Sequence, residues 1–178
     1  MIKNVIFDIG NVLLDFCWKD HIARFGFQGE KADRIAQAMM LGPIWPKLDL
    51  GLESDEDILE QFVAHTPELE QEIRLVFSDL STIVREYEGS VDWIESLKAR
   101  GYHTYYLSNY GERIRREASK ELSFLSHMDG GIMSYTVHLA KPDPAIYQTL
   151  LDRYGLKAEE CVFLDDTVRN VEAAQALG

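Results

Sequence analysis

Apolar and polar positions along the chain follow two alternating rhythms. Val5-Ile6-Phe7 is a short unbroken apolar run that stops at Asp8, and Gly10-Asn11 follows as a turn. Such a run fits a strand covered on both faces, as in a parallel sheet. Three later runs read the same way: 103–107, ending at Ser108-Asn109; 131–135, after a glycine pair; and 161–164, ending at Asp165-Asp166. Helical spacing separates them. Val91, Ile94 and Leu97 predict a helix over 90–100 that stops at Gly101. A charged helix is expected over 111–122. Ile146, Leu150 and Leu151 predict one over 142–154, closed by Gly155, and an alanine-rich helix is expected over 168–177. Strands alternating with helices imply an α/β fold, a doubly wound parallel sheet with crossover helices.

One segment breaks the alternation. Residues 16–88 contain no convincing strand. Helical patterns cover 18–25, 30–40, 54–65 and 67–84, with Ser54 ahead of Asp57 and Thr66 ahead of Pro67 as starts. Gly42-Pro43 and Leu50-Gly51 are breaks. The expected organisation is a core made of 1–15 and 89–178, with a helical cap inserted at 16–88.

Composition narrows the function. The 178 residues suit one domain with a modest insert, and 46% hydrophobic residues suffice for a core. The net charge of −12 argues against a nucleic-acid partner, because no basic stripe can neutralise a phosphate backbone. A small anion could still bind through one lysine and a metal ion. Asp8, Asn11 and Asp15 interrupt the apolar N-terminus and no small-residue cleavage site follows, which argues against a secretory signal. No window approaches the roughly 18 apolar residues of a membrane span. Cys17 and Cys161 lie far apart without metal-ligand spacing and read as reduced thiols of a cytoplasmic protein.

The polar residues at the strand ends carry the chemistry. In open parallel sheets, ligands sit beyond the carboxyl ends of the strands. Asp8, Ser108-Asn109 and Asp165-Asp166 end three strands, and Lys141 follows the third run. Each has a plain structural reading as a turn residue, a helix cap or a solvated helix start. Together at one sheet edge they suit phosphoryl transfer. A divalent cation held by Asp8 and Asp166 would offset the repulsion between a carboxylate nucleophile and a phosphate dianion. Lys141 would neutralise a further oxygen and favour the ionised form of Asp8. Ser108 and the backbone N–H of Asn109 would donate hydrogen bonds to the remaining oxygens. Asp8 would attack phosphorus, and water would hydrolyse the aspartyl-phosphate.

The stretches VIFDIGNVL (5–13), YYLSN (105–109), KPDPAIY (141–147) and VFLDDTVRN (162–170) resemble the motifs of the haloacid dehalogenase superfamily, in the branch with a helical cap after the first motif. The resemblance implies Asp8 as nucleophile, Ser108 and Asn109 as phosphate-binding residues and Lys141 as the family lysine. It implies magnesium as cofactor, with Asp166 a ligand, Asp165 a ligand or a neighbour supporting one, and the Gly10 carbonyl able to bind the ion. Asn170 aligns with a carboxylate often seen after the metal aspartate. FDIGNVLLD and FLDD resemble a subfamily that includes a bacterial α-glucose-1-phosphate phosphatase and, more distantly, the phosphatase domain of soluble epoxide hydrolase. The expected partner is therefore a small-molecule phosphate ester, acted on by a monomer or homodimer. The family sheet carries a fifth strand after the last helix; without it the 161–164 strand is expected to be an open edge.

One position departs from the family. Most of its phosphatases carry a second aspartate, the leaving-group acid, where this chain has Gly10. Asp15 is the nearest downstream carboxylate, with a turn or flap role as its plainer reading. In the insert, Trp18 and Trp45 read chiefly as core, and His21 and Lys47 chiefly as surface. A dehalogenase, in which Asp8 attacks carbon without a metal, and a non-catalytic binding protein are the alternatives, with a phosphomutase a further one that the missing acid disfavours. Asp165-Asp166 argues against the first, and Gly10 favours the second.

Overall fold

An apolar strand with no solvent face needs cover on both sides, and the order of elements supplies it. The computed structural model describes residues 1–178. It opens with β1 (Asn4–Phe7), buried along its length, and turns through Gly10 and Asn11 into β2 (Leu14–Phe16). Five helices follow: α1 (Trp18–Arg24), α2 (Gly29–Ala38), α3 (Trp45–Leu50), α4 (Asp55–His65) and α5 (Glu70–Phe77). Next come β3 (Val84–Glu86), α6 (Ser90–Ala99), β4 (His103–Ser108), α7 (Glu112–Glu117) and β5 (Gly130–Met133). α8 (Pro144–Tyr154), β6 (Cys161–Leu164) and α9 (Val168–Gln175) complete the chain.

β5, β4, β1 and β6 form one parallel sheet in that order. Phe7 lies opposite Tyr106 on one side and Leu164 on the other, so β1 and β6 end together while β4 runs two residues further. The Asp8 N–H bonds the Leu164 carbonyl at 2.7 Å and carries the pairing one residue further. Gly131 lets β5 approach β4, since a Cβ there would stand 2.3 Å from the Tyr106 ring. On one face the core runs from Phe7 and Ile9 without a break into Phe62 and Phe77 of the insert; the other face packs Ile6 and Leu107 on Ile146 and Leu150. No helix is long and apolar enough to cross a membrane.

The structure corrects several sequence expectations. The insert is fastened by a ribbon that was not foreseen: β2 pairs antiparallel with β3, Phe16 opposite Val84. Three residues per strand are too few for an alternating pattern to register. The helix expected over 67–84 is a 3-10 turn at Pro67–Leu69, then α5, then β3. The strand expected over 131–135 stops at Met133, and Ser134–Thr136 turns as a 3-10 helix. The charged helix over 111–122 ends at Glu117 and continues as 3-10 turns through His127, with non-helical backbone at Leu122. α3 was not predicted at all, because Pro46 reads as a breaker; here it occupies the first turn, where no N–H is required. Other signals act as read. The Ser54 hydroxyl accepts the Asp57 N–H at 3.1 Å, and Gly155 ends α8 in the left-handed region. β6 is a sheet edge with Val162 exposed, beside an apolar hollow lined by Leu151 and Leu177.

Candidate active site

Because the strands are parallel, their carboxyl ends share one edge of the sheet. Asp8 follows β1, Ser108 ends β4, and Asp165 and Asp166 follow β6. They adjoin a pocket of about 240 Å³, whose lining includes Asp8, Gly10, Asn109 and Asp166. Carboxylate oxygens of Asp8, Asp165 and Asp166 lie within 4.8 Å of one another.

Asp8 is buried and unevenly bonded. Its Oδ1 accepts from the Ile9 N–H at 2.7 Å, from the Ser108 hydroxyl at 2.8 Å and from Lys141 Nζ at 2.9 Å. No protein donor reaches Oδ2. Burial pushes the Asp8 carboxyl above its ordinary range, with Lys141 and Ser108 pulling against it. The Ser108 hydroxyl thus addresses Asp8 and is buried, so its direct partner in this structure is the carboxylate.

Lys141 is fixed from both ends. Its Nζ also lies 2.6 Å from Asp165 Oδ2, and its side chain is 1% exposed. Its backbone is held by Asn109, whose Oδ1 accepts the Lys141 N–H at 2.8 Å while its Nδ2 donates to the Lys141 carbonyl at 3.0 Å. This reciprocal pair occupies the Asn109 side chain. The backbone N–H of Asn109 has no protein partner at the pocket wall.

The two adjacent aspartates differ. Asp165 Oδ2 takes Lys141, its Oδ1 takes the Thr167 N–H at 2.8 Å, and Asn170 Nδ2 lies 3.1 Å from both oxygens. Asp166 is exposed; Asn11 Nδ2 donates to its Oδ2 at 3.0 Å. Asn11 reaches it from a left-handed backbone, φ 56°, which asparagine tolerates. A Cβ on Gly10 would meet nothing within 4 Å, so the pocket stays open beside Asp8.

The insert supplies the opposite wall. Phe16 and Trp45 line it, their ring centroids 6.0 Å apart. Asp49 of α3 lines it too, a residue that sequence reasoning passed over. Burial, and then the negative charge of Asp8, push its carboxyl up to about 7, with Lys141 opposing. The other sequence candidates lie elsewhere. Asp15 accepts from the Cys17 thiol at 3.2 Å and is absent from the pocket wall, because alternate residues of β2 face opposite ways and Leu14 and Phe16 take the pocket side. His21 is fully buried, contrary to its surface reading, with Nδ1 3.0 Å from the Thr82 hydroxyl and Nε2 3.3 Å from the Val76 carbonyl. Lys47 is a surface residue bonded to Gln61 at 2.6 Å. Trp18 packs against the core. Both cysteines are free thiols.

Known proteins share this arrangement of elements. The chain is 25% identical to the sesquiterpene phosphatase astK of Aspergillus oryzae, over 99% of this chain and 86% of that protein. It is 24% identical to (S)-2-haloacid dehalogenase 1 of a Pseudomonas species, over 99% of this chain and 82% of that one. Among solved structures, the HAD family enzyme bt-2542 of Bacteroides thetaiotaomicron, in complex with magnesium and inorganic phosphate, superposes with a TM-score of 0.74 at 22% identity, covering 100% of this chain and 91% of that chain. The model of the haloacid dehalogenase-like hydrolases matches residues 2–178, and the chain belongs to that family.

Proposed function

We propose that the protein is a magnesium-dependent phosphatase that hydrolyses a small phosphate monoester through an aspartyl-phosphate on Asp8. The observation that carries this reading is the uneven bonding of Asp8. Three donors hold and orient Oδ1, and no protein donor engages Oδ2. A carboxylate so oriented attacks phosphorus in line without reorganising its surroundings.

The residues fit a hard divalent cation. The donor set is all oxygen, which suits magnesium. Asp8, the Gly10 carbonyl and Asp166 are the groups we assign to it; bound there, the ion neutralises phosphate charge and so permits approach to a carboxylate. Asp165 lies in the same cluster, but four hydrogen-bond contacts already engage its oxygens. We assign it the task of holding Lys141 in place. Lys141 faces the transferred phosphoryl group as a point charge, and the free Asn109 N–H donates to one of its oxygens. Ser108 orients Asp8 through its hydroxyl.

The names of relatives support a phosphatase in one case and a dehalogenase in another. The exposed Asp166 beside Asp8 favours the first, since the two carboxylates together can hold a cation that attack on carbon does not need. The insert at 16–88 is proposed as the cap that selects the substrate, and Phe16 and Trp45 present it with an apolar wall. A sugar phosphate remains the proposed substrate class. The test is phosphate release from a panel of phosphate esters, with magnesium and with EDTA. We expect turnover only with the ion, and a loss of at least about 10⁴-fold in Asp8→Asn. Full activity in EDTA, halide release from 2-haloacids, or turnover by Asp8→Asn would each overturn the assignment.

A further inference from the structure

Three carboxyl side chains line the pocket: Asp8, Asp49 and Asp166. The proposed mechanism employs the first and the third. Asp49 is left over, and its surroundings do not explain it. No hydrogen bond and no ion pair joins its carboxyl to any other side chain, although most acidic groups of this surface have a cation or a capped N–H. A carboxyl crowded by protein without such a partner costs stability, so it calls for a reason beyond packing.

Its position is built with care. α3 belongs to the insert, yet it is tied to the turn that follows β5 in the sheet. The Ser134 hydroxyl donates to the Asp49 carbonyl at 2.5 Å, and the same oxygen accepts the Tyr110 N–H at 2.9 Å. His138 Nδ1 lies 2.9 Å from the Leu50 carbonyl. α3 then ends at Gly51, in the left-handed region at φ 63°, where a Cβ would stand 2.9 Å from that of Tyr135. These ties hold the Asp49 backbone against the sheet edge that carries Asp8. Asp49 lines the same pocket as Asp8 and Asp166.

A leaving-group acid is what the site otherwise lacks. Gly10 has no side chain. Asp15 is turned away on β2 and bonded to Cys17. Asp165 is buried under Lys141 and Asn170. The Tyr110 hydroxyl is buried without a partner, and a phenol is a far weaker acid than a carboxyl.

We propose that Asp49 is the general acid for the leaving group, supplied by the insert in place of the side chain absent at Gly10. This rests on the phosphatase reading above. As Asp8 forms its bond to phosphorus and the bond to the ester oxygen breaks, the Asp49 proton passes to that oxygen and the alcohol departs neutral. The resulting Asp49 carboxylate then takes a proton from the water that attacks the aspartyl-phosphate, which releases phosphate and restores the acid. A carboxyl on the pocket wall with no ion-pair or hydrogen-bond partner of its own is free to take both parts.

The test compares Asp49→Asn with the wild type on two magnesium-supported substrates: an aryl phosphate, whose phenolate departs without a proton, and an alkyl phosphate, whose alkoxide does not. The expected result is that the ratio of alkyl to aryl kcat/KM falls about 10²-fold or more, the usual worth of a general acid. Asp49→Ser, which also cannot donate a carboxyl proton, should show the same bias. An equal loss on both esters marks Asp49 as structural and overturns the proposal, as does no loss. If the wild type cleaves neither ester while magnesium is present, the phosphatase reading falls first and takes this inference with it.

Discussion

Lys141 and Asp165 form an ion pair of 2.6 Å whose two side chains are 1% and 0% exposed. Lys141 is also the cation for Asp8 at 2.9 Å, so one ammonium serves two buried carboxylates. Lys141→Met leaves both without a cation. We expect a loss of about 3–5 kcal/mol at neutral pH, as for other broken buried pairs. The sign of the pH dependence follows from Asp8, whose folded pKa is already above its unfolded value. Without Lys141 it rises further, the folded state binds more protons than the unfolded state, and stability falls as pH rises from about 4. Urea unfolding at pH 4 and pH 7 measures this; a deficit that is equal at both would contradict it.

Asn170 was read from the sequence as standing where relatives place a carboxylate. Here its Nδ2 donates to both oxygens of Asp165 at 3.1 Å, while its Oδ1 is buried without a partner. Asn170→Asp replaces the donor by a second carboxylate facing the first. One of the pair must then hold a proton at neutral pH. The expected cost is about 1–3 kcal/mol at pH 7, relieved on acidification because the folded state keeps a proton that the unfolded state releases. Thermal unfolding across pH 5–8 would show the difference between variant and wild type shrinking toward the acid end.

Ser134 joins the sheet edge to α3 through two hydrogen bonds, one buried and one partly so. Ser134→Ala strands the Tyr110 N–H and the Asp49 carbonyl, and about 1–3 kcal/mol should be lost. The exposed Ser126, bonded only to the nearby Ser123 carbonyl at 2.8 Å, is the control, with an expected change within about 0.5 kcal/mol for Ser126→Ala. Comparable losses in the two variants would show that the Ser134 bridge contributes nothing particular.

Gly10 is open to substitution, since a Cβ meets no atom within 4 Å and its backbone is outside the left-handed region. Gly10→Asp should therefore fold without steric strain. Placed in the Asp49→Asn background, it should restore alkyl ester hydrolysis by about 10-fold or more, by providing a second source of the proton. Paired kinetics of the single and double variants would measure the recovery.

The sequence by itself determined the sheet and its reactive edge. Val5-Ile6-Phe7 ending at Asp8, and Cys161 to Leu164 ending at Asp165-Asp166, are local patterns, and parallel pairing brings local strand ends to one side whatever the loops do. Gly101 and Gly155 ended their helices for the same local reason. Tertiary structure decided which groups face one another. Whether Ser108 meets Asp8 or solvent, whether Asp165 is filled by Lys141 and Asn170, and whether Asn109 clamps the lysine backbone all depend on side-chain directions that a strand-end motif does not encode. The β2–β3 ribbon escaped detection because three residues carry no measurable period, and its pleat is what turns Asp15 from the pocket. Asp49 was invisible for a further reason. It reaches the site only because Ser134, 85 residues later, holds α3 against the sheet, and no pattern local to residues 45–50 records that contact.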